Sequence, residues 1–379
     1  MTPRLFAADE TDFLTLGIGA LGDATSCVVT SEMNLPPVLE MEYPLTGHRA
    51  DDLVEERIIY AQTNPSGDAQ PFRIYSISKP TNGMLTLKAE HIAYQLAKTL
   101  IVTANFTEGR SSTPQRLWNK LLLLAEPSVD FTFTTDIDTA IDHFIAPIPT
   151  SVLSVLIGEG KDGGDGWSSS ILAGLGYGDF VFDKWHISLL QNAGSDNGYL
   201  ISYGNNLVSL DSVTDMTNVY TGIVPYWKAD FSEAVQLLRT DKIIYAPNVA
   251  DYEHPMIRAI DFSQYFDENL ELAEQEAVIR AAATEFMNTA QQHTLVMTIT
   301  LDFVHLGQTD QYKDYDYLSN VKVYDTVTVR HQGLGIDIKK RVIKTEYDAL
   351  KDKYNTISVG EKEIELARVI SEIARRSVK

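Results

Sequence analysis

The chain has 379 residues, 44% hydrophobic and 22% charged, values typical of a folded protein of about two to three domains. Its 52 acidic and 31 basic residues give a net charge of −21, which argues against general nucleic-acid binding and against binding to anionic membranes. The single cysteine, Cys27, excludes an intrachain disulfide and is expected to be a small buried residue.

The N-terminus lacks a basic segment followed by an apolar one, and no apolar run approaches the roughly 20 residues of a membrane span. We therefore expect synthesis in the cytoplasm without a signal peptide, and no membrane segment.

The N-terminal half predicts strands mixed with short helices. Two strand-like runs, 71–78 and 83–89, flank turn residues and predict a hairpin, followed by a short helix over about 90–100. A better-marked helix begins after Thr113, a capping residue, with Pro114 at its first position and leucines recurring at helical spacing.

A short helix over 150–157 is expected to stop at Gly158, where the segment GEGKDGGDG (158–166) begins. Gly160-Lys161 suggests a phosphate-binding loop, but an aspartate follows the lysine and the glycine spacing differs from the pattern that cradles phosphate. We interpret the segment as a surface loop.

The C-terminal half predicts more strands, over 179–190 with a turn at 183–184, and over 198–204, 218–227, 293–305, 321–330 and 335–346. Between them, 267–288 predicts a helix with an apolar stripe of Leu270, Ala273, Ala277 and Ala281. The final residues, 361–377, also suit a helix. The segment 251–316 holds 13 acidic and 3 basic residues, a charge of −10, which fits either a solvated face or a surface that repels an anion.

Signatures of enzyme chemistry are absent from the sequence: it has no G-x-S-x-G, no H-E-x-x-H and no C-x-x-C. The acid pairs Asp136/Asp138 and Asp314/Asp316 are expected by chance among 52 acids. His186 alternates with apolar neighbours and is expected at the surface. We therefore predict no catalytic, cofactor-binding or metal-binding residues, and no cofactor.

Four elements between 178 and 227 resemble the phage minor structural protein family, also called the prophage tail endopeptidase or tail-associated lysin family. They are Leu189-Leu190, Gly194 to Gly198, Tyr203-Gly204-Asn205-Asn206-Leu207 and Asn218-Val219-Tyr220-Thr221. Residues 21–34 and 323–360 are similar to the family's N-terminal strand and late segment, so that the resemblance covers about 1–360. The chain departs from the family at Gly222, where arginine is frequent, and at Trp227, which replaces a small residue.

The resemblance implies an α+β, β-dominated multidomain fold like that of a phage baseplate hub, with two tube-type β domains plus inserted α/β domains. The expected domains are a first tube-type β domain at 1–100, an inserted α/β domain at 101–205 and a second tube-type β domain at 206–350, which includes the acidic helix 267–288 and can be interleaved with a further small domain. A C-terminal strand and helix are expected at 351–379.

The resemblance also implies a function without catalysis. Three copies would form a ring at the virion tail tip that continues or plugs the tail tube and takes part in host attachment and DNA ejection. The expected partners are further copies in a homotrimer, the distal tail protein, and tail tube and tape measure proteins. DNA would pass without specific binding, and part of the acid excess at 251–316 would face the channel or its rim. Two alternatives remain open: a peptidoglycan hydrolase acting during infection, and a module that binds a host saccharide or receptor.

Overall fold

The computed structural model describes residues 2–65, 67–79, 83–102, 106–108, 111–141, 144–146, 149–158, 170–203, 205–216, 219–228, 234–289, 296–303 and 321–360. Over these residues the chain is β-dominated, as predicted.

The strands are β1 (Arg4–Phe6), β2 (Gly19–Ala20), β3 (Ser26–Glu32), β4 (Val38–Pro44), β5 (Ile58–Gln62), β6 (Ala69–Ser78), β7 (Met84–His91), β8 (Leu100–Ile101), β9 (Phe106–Glu108), β10 (Ala125–Glu126), β11 (Thr132–Thr135), β12 (Phe144–Ala146), β13 (Thr150–Ser151), β14 (Asp179–Asp183), β15 (His186–Leu190), β16 (Tyr199–Ser202), β17 (Leu207–Asp215), β18 (Gly222–Trp227), β19 (Gln236–Leu237), β20 (Ile244–Tyr245), β21 (Ile257–Asp261), β22 (Val296–Phe303), β23 (Thr326–His331), β24 (Ile336–Asp348) and β25 (Lys353–Gly360). The α-helices are α1 (Pro114–Leu124), α2 (Val152–Ile157), α3 (Ile171–Leu175) and α4 (Leu272–Thr289). Short 3₁₀ turns lie at Ala50–Asp52, Ile92–Ala97, Val249–Asp251, Ser263–Tyr265 and Gln332–Leu334.

One long sheet of 13 strands is built from both ends of the chain. Its main path runs β17-β22-β25-β24-β3-β4-β7-β6-β5-β1-β2, and β23 and β16 continue beside β24. The N-terminal and C-terminal strand groups meet where β24 pairs antiparallel with β3, with Lys344 opposite Glu32 and Asp348 opposite Val28. Residues more than 300 positions apart along the chain are therefore neighbours in one hydrogen-bonded ladder.

Two excursions leave this sheet and return to it. The first runs from the end of β7 to the start of β16 and contains α1 to α3 with three small sheets. The second runs from the end of β17 to the start of β22 and contains the four-stranded sheet β19-β18-β20 with β21, covered by α4. Each has its own buried apolar cluster, separate from the cluster under the long sheet. The predicted domain limits at 100, 205 and 350 stay a prediction.

A first polar seam fixes the first excursion to the long sheet. The buried His91 accepts a hydrogen bond at Nδ1 from the Ala93 N–H, so that its Nε2–H points to Gln70 Oε1 at 3.2 Å. Gln70 in turn donates to Asp183 Oδ1 at 2.9 Å and accepts from the Lys184 N–H at 2.8 Å. Burial lowers the pKa of His91 to about 3, which keeps this imidazole neutral.

A second polar seam joins the N-terminal and C-terminal strand groups of the long sheet to the first excursion. Asn34, just after β3, donates its backbone N–H to the Tyr324 hydroxyl at 2.8 Å and accepts from the Phe180 N–H at 2.6 Å. The Tyr324 hydroxyl donates to the Phe180 carbonyl. Beside them, Arg341 donates to the buried Asp179 carboxylate at 2.7 Å. Each group supplies the partner that another buried group needs, so the seam sets one docking geometry.

Several local predictions are confirmed. The hairpin forms as β6 and β7, α1 begins after Thr113, whose hydroxyl accepts from the Arg116 N–H, and α2 ends at Gly158. The helix predicted from residue 90 is shorter, a 3₁₀ turn at Ile92–Ala97, because β7 continues to His91. The residues 159–166 and the predicted helix 361–377 lie outside the described residues.

The predicted core stripe of α4 is wrong. Ala273, Ala277 and Ala281 are exposed, and the helix instead buries a stripe offset by two positions: Gln275, Ile279, Ala282, Ala283, Phe286 and Met287. The larger side chains are buried because the free energy gained on burial scales with apolar surface area, and alanine has little apolar surface to bury. No helix among the described residues is long and apolar enough to span a membrane.

Candidate functional site: the open face of the long sheet

Over most of its width the long sheet buries one face and leaves the other open to solvent. At β5 both faces are buried, because a second apolar cluster forms there from Phe6, Phe13, Ile58, Tyr60, Ala69 and Ile92. Strand β4 shows the pattern: Leu39, Met41 and Tyr43 are buried, whereas Val38, Glu40 and Glu42 are exposed. Successive side chains of a strand point to opposite faces, and residues paired across strands share a face. We call the exposed side the open face. It carries Asp211 and Val213 of β17, Thr300 and Asp302 of β22, Thr356 and Ser358 of β25, Lys344 and Glu346 of β24, Val28, Thr30 and Glu32 of β3, Val38, Glu40 and Glu42 of β4, Thr86, Lys88 and Glu90 of β7, and Arg73 of β6.

The open face crosses the junction between the two strand groups without a break. On the C-terminal side Thr300 lies opposite Ser358, and their hydroxyls are 3.4 Å apart. Lys344 then lies opposite Glu32 across the junction, and Glu40 lies opposite Lys88 on the N-terminal side. The chain therefore presents a single polar wall with short hydroxyl side chains between its charges.

Acidic side chains outnumber basic ones on this wall. On these strands the acids are Asp211, Asp302, Glu32, Glu40, Glu42, Glu90 and Glu346, and the bases are Arg73, Lys88 and Lys344. The pair β23–β24 extends the same side with Asp337 and with Arg330, Lys339 and Arg341, each of which forms an ion pair with an acid. The bases also have acidic neighbours. Lys344 Nζ lies 3.2 Å from Glu346 Oε1, and Arg73 Nη1 lies 3.5 Å from Glu56 Oε2. The wall thus offers no cluster of unneutralised cations to a phosphate backbone.

The acidic segment singled out in the sequence, 251–316, contributes one described residue to this wall, Asp302. Its other described acids belong to the second excursion, and residues 304–316 lie outside the described residues. Among the remaining acids, Glu346 and Glu32 lie on strands that the sequence predicted and Glu90 directly follows one, whereas Glu40, Glu42 and Asp211 lie on β4 and β17, which were not predicted. The strict alternation of residues 38–44 was the signal that could have found β4 and its two glutamates.

His186 lies on the parallel pair β11–β15, in a row of hydroxyl side chains. Its Nδ1 is 2.7 Å from Thr132 Oγ1, and its Nε2 is 2.9 Å from Thr134 Oγ1 and 3.1 Å from Ser188 Oγ. A serine nucleophile needs an imidazole base that is oriented by a third group, most often a carboxylate. Here threonine hydroxyls occupy both sides of the ring, an arrangement that suits a surface hydrogen-bond ladder.

The other candidate reactive groups are buried or hydrogen-bonded within the fold. Cys27 is buried in the main core, and burial raises the pKa of its thiol to about 12, the reverse of what a nucleophilic cysteine needs. Asp136 accepts the Gln191 N–H at 2.8 Å, while Asp314 and Asp316 lie outside the described residues. Among the residues that the structure describes, no group of three or more His, Cys, Asp or Glu could hold a metal ion.

Comparison with protein families matches residues 195–370 to the family described as prophage endopeptidase tail. This range contains all of β16 to β25, and with them the C-terminal half of the open face. The resemblance drawn from the sequence is thereby confirmed over these residues, while 21–34, Leu189-Leu190 and Gly194 lie outside the matched range. No curated protein matches the sequence.

Solved structures of three tail proteins share the fold along nearly the whole chain. The prophage tail protein gp18 of Listeria monocytogenes EGD-e is 14% identical with a TM-score of 0.57, and the alignment covers 100% of both chains. The tail protein of Neisseria meningitidis MC58 is 11% identical with a TM-score of 0.55, over 97% and 98% of the two chains. The 43 kDa tail protein of prophage MuSo2 from Shewanella oneidensis is 10% identical with a TM-score of 0.54, over 89% and 93%.

Proposed function

We propose that this chain, whose residues 195–370 match the prophage endopeptidase tail family, is a structural subunit of a phage or prophage tail that forms a ring at the tail tip. Three copies continue or plug the tail tube there, as in a baseplate hub. They meet the distal tail protein and the tube and tape measure proteins, and take part in host attachment and DNA ejection.

The observation that carries this proposal is the long sheet made of two strand groups, joined at β3 and β24. A ring built from one kind of interface is heterologous and closed. If each group acts as one tube-type unit, three copies provide six units around the axis. That arrangement matches a three-fold tip to a tube of six-fold symmetry.

The open face supports the same assignment through electrostatics. A channel wall that DNA slides past must not bind phosphates, because each Lys or Arg that neutralises a phosphate releases counterions and adds affinity. The wall described above has short hydroxyls, an excess of carboxylates, and bases that have acidic neighbours. In the proposed ring this face lines the channel, with Asp302 as the contribution of the acidic segment.

We assign no catalytic step to the described residues. The Ser188–His186 contact has threonine hydroxyls where a carboxylate would be needed, and Cys27 is buried. The family description names an endopeptidase, so peptidoglycan cleavage is the activity to measure as the alternative. The exposed tyrosines at 75, 203 and 245 lie on different elements, which does not favour a saccharide groove.

Immunogold labelling of tail particles tests the assignment. Particles are isolated from a strain that carries the gene with an epitope tag in an exposed turn, such as Lys351-Asp352. We expect gold at the distal tip of the tail, and tailless or tipless particles when the gene is deleted. Label along the tail shaft, on the head, or absent from intact tails would refute the assignment.

A further inference from the structure

One rigid loop displays two leucines to solvent. We call residues 7–18, between β1 and β2, the leucine loop; Leu14 and Leu16 at its tip are 85% and 77% exposed. Exposed apolar side chains that are scattered singly are ordinary, but two that lie together on one loop form a candidate contact surface.

The loop is fixed by hydrogen bonds and by an aromatic anchor. Glu10 Oε1 accepts the N–H groups of the next three residues at 3.1–3.3 Å, and Asp12 Oδ1 accepts the Leu14 N–H at 3.0 Å. Arg4 donates to the Thr15 carbonyl at 2.8 Å. Phe13 is buried and stacks on Tyr60 with ring centroids 5.0 Å apart. The two leucines therefore project from a preformed support.

The second excursion carries an unpartnered apolar surface. Its four-stranded sheet packs Ile223, Trp227, Ile244 and Ile260 against α4, and the opposite side has no helix over it among the described residues. We call that opposite side the apolar face: Gly222, Val224 and Tyr226 of β18, Leu237 of β19, Tyr245 of β20, and Ile257 and Ala259 of β21, with Asp261 of β21 opposite Tyr226 at its end. Leu237, Tyr245 and Ile257 are 41%, 47% and 41% exposed.

Gly222 makes this face continuous. It pairs with Tyr245 on one side and Ile257 on the other, and a Cβ at this position would lie 2.7 Å from the Ile257 side chain and 3.0 Å from the Tyr245 ring. Because glycine has no side chain, the side chains of Tyr245 and Ile257 can lie over β18, the strand between them. A larger residue here, such as the arginine expected from the resemblance, would separate them.

The topology places the two features at opposite ends of the long sheet. The leucine loop joins β1 to β2, which end the strand order on one side. The apolar face belongs to the excursion inserted between β17 and β22, the two strands at the other end. In a closed heterologous ring, one end of each copy meets the opposite end of the next.

We infer that the leucine loop of one copy docks on the apolar face of the next copy, with Leu14 and Leu16 against Leu237, Tyr245 and Ile257. This inference rests on the proposed ring and names its contact. Because every copy carries a charge of −21, association must come from apolar contact, and added salt should strengthen it by screening repulsion.

The first test is the mass of the full chain in solution for the wild type and for Leu14→Lys/Leu16→Lys. The chain offers a matched control, Leu123→Lys on α1, because Leu123 is also 85% exposed. We expect a trimer for the wild type and for the control. For the loop variant we expect dissociation at a concentration at least about 100-fold higher than for the wild type, because the two lysines would bury unpaired charges in the contact.

The second test is cross-linking of a cysteine pair, Leu16→Cys with Tyr245→Cys. The native Cys27 is fully buried and does not compete. Under mild oxidation we expect disulfide-linked chains of two and three copies, and no such linkage for the control pair Leu123→Cys with Tyr245→Cys.

These outcomes distinguish failure of the proposed docking contact from failure of the proposed ring. A loop variant that stays trimeric, or equal cross-linking of both pairs, overturns the contact and leaves the ring standing. A wild type that is monomeric at every concentration and salt level overturns both.

Discussion

Replacement of Arg341 by methionine tests whether the second polar seam holds the first excursion on the long sheet. The Asp179 side chain is 4% exposed, and its carboxylate receives Arg341 Nη2 at 2.7 Å and the Ala193 N–H at 2.9 Å. Methionine keeps most of the arginine stem but removes the charge. Asp179 then remains buried with one neutral donor.

The expected cost follows from burial. Removing one partner of a buried ion pair costs about 3–5 kcal/mol, because the other charge stays uncompensated. The Ala193 N–H remains, and the Arg341 side chain is 35% exposed, so that water can partly replace it. We therefore expect Arg341→Met to lower the free energy of unfolding by about 2–3 kcal/mol.

Urea unfolding followed by tryptophan fluorescence measures this change. The matched control is Arg330→Met, which breaks an ion pair with Asp337 whose two side chains are 47% and 60% exposed. Exposed pairs contribute about 0–1 kcal/mol, so the control should unfold close to the wild type. Equal midpoints for the two variants would refute the role given to Asp179 and Arg341.

Three further substitutions probe the seams and the wall. Tyr324→Phe removes the hydroxyl shared by two buried backbone groups and should lower the free energy of unfolding by about 1–3 kcal/mol in the same urea assay. The pKa of His91 is depressed to about 3, whereas an unfolded histidine titrates near 6.5. The stability that the neutral imidazole contributes is therefore complete above pH 6.5, and the free energy of unfolding falls by about 1.4 kcal/mol per pH unit as the pH drops toward 3. His91→Phe should flatten this slope when unfolding is measured as a function of pH. Glu40→Lys/Glu42→Lys on the open face should create salt-sensitive affinity for a 20-base-pair DNA duplex, read by fluorescence anisotropy, where the wild type shows little.

Two of these results have a control variant in the same chain. Tyr75→Phe removes a hydroxyl from a side chain that is 50% exposed and should leave stability near that of the wild type. Glu268→Lys/Glu271→Lys makes the same charge change away from the open face. DNA affinity that rises equally in both lysine variants would show that net charge, not the wall, decides binding. A His91→Phe protein that keeps the full acid slope would place the titrating group elsewhere.

Local structure was predictable where short-range chemistry decides it. Thr113 and Pro114 fix the start of α1, and the hairpin of β6 and β7 follows from alternation and turn residues. The face of α4 was not predictable from spacing alone, because alanines and larger residues recur at the same period. Packing against Trp227 and Phe262 selects Ile279 and Phe286 for the core.

The long sheet and its wall depend on pairing that spacing cannot reveal. No local pattern shows that β3 pairs with β24 more than 300 residues later, since either strand would fit other neighbours. The acid excess of the chain was visible in the sequence, but its placement on the wall depended on that pairing. Glu32 and Glu346 come to the same surface only through the junction.

The central claim is that copies of this chain close into a three-fold ring around a channel lined by the open face. Light scattering over a range of protein and salt concentrations, with electron-microscopy class averages of the same sample, tests it most directly. We expect a species of about three times 42.2 kDa, three-fold class averages, and a central channel whose wall is negative. A monomer under every condition, an open filament, or a ring whose channel wall is positive would contradict it.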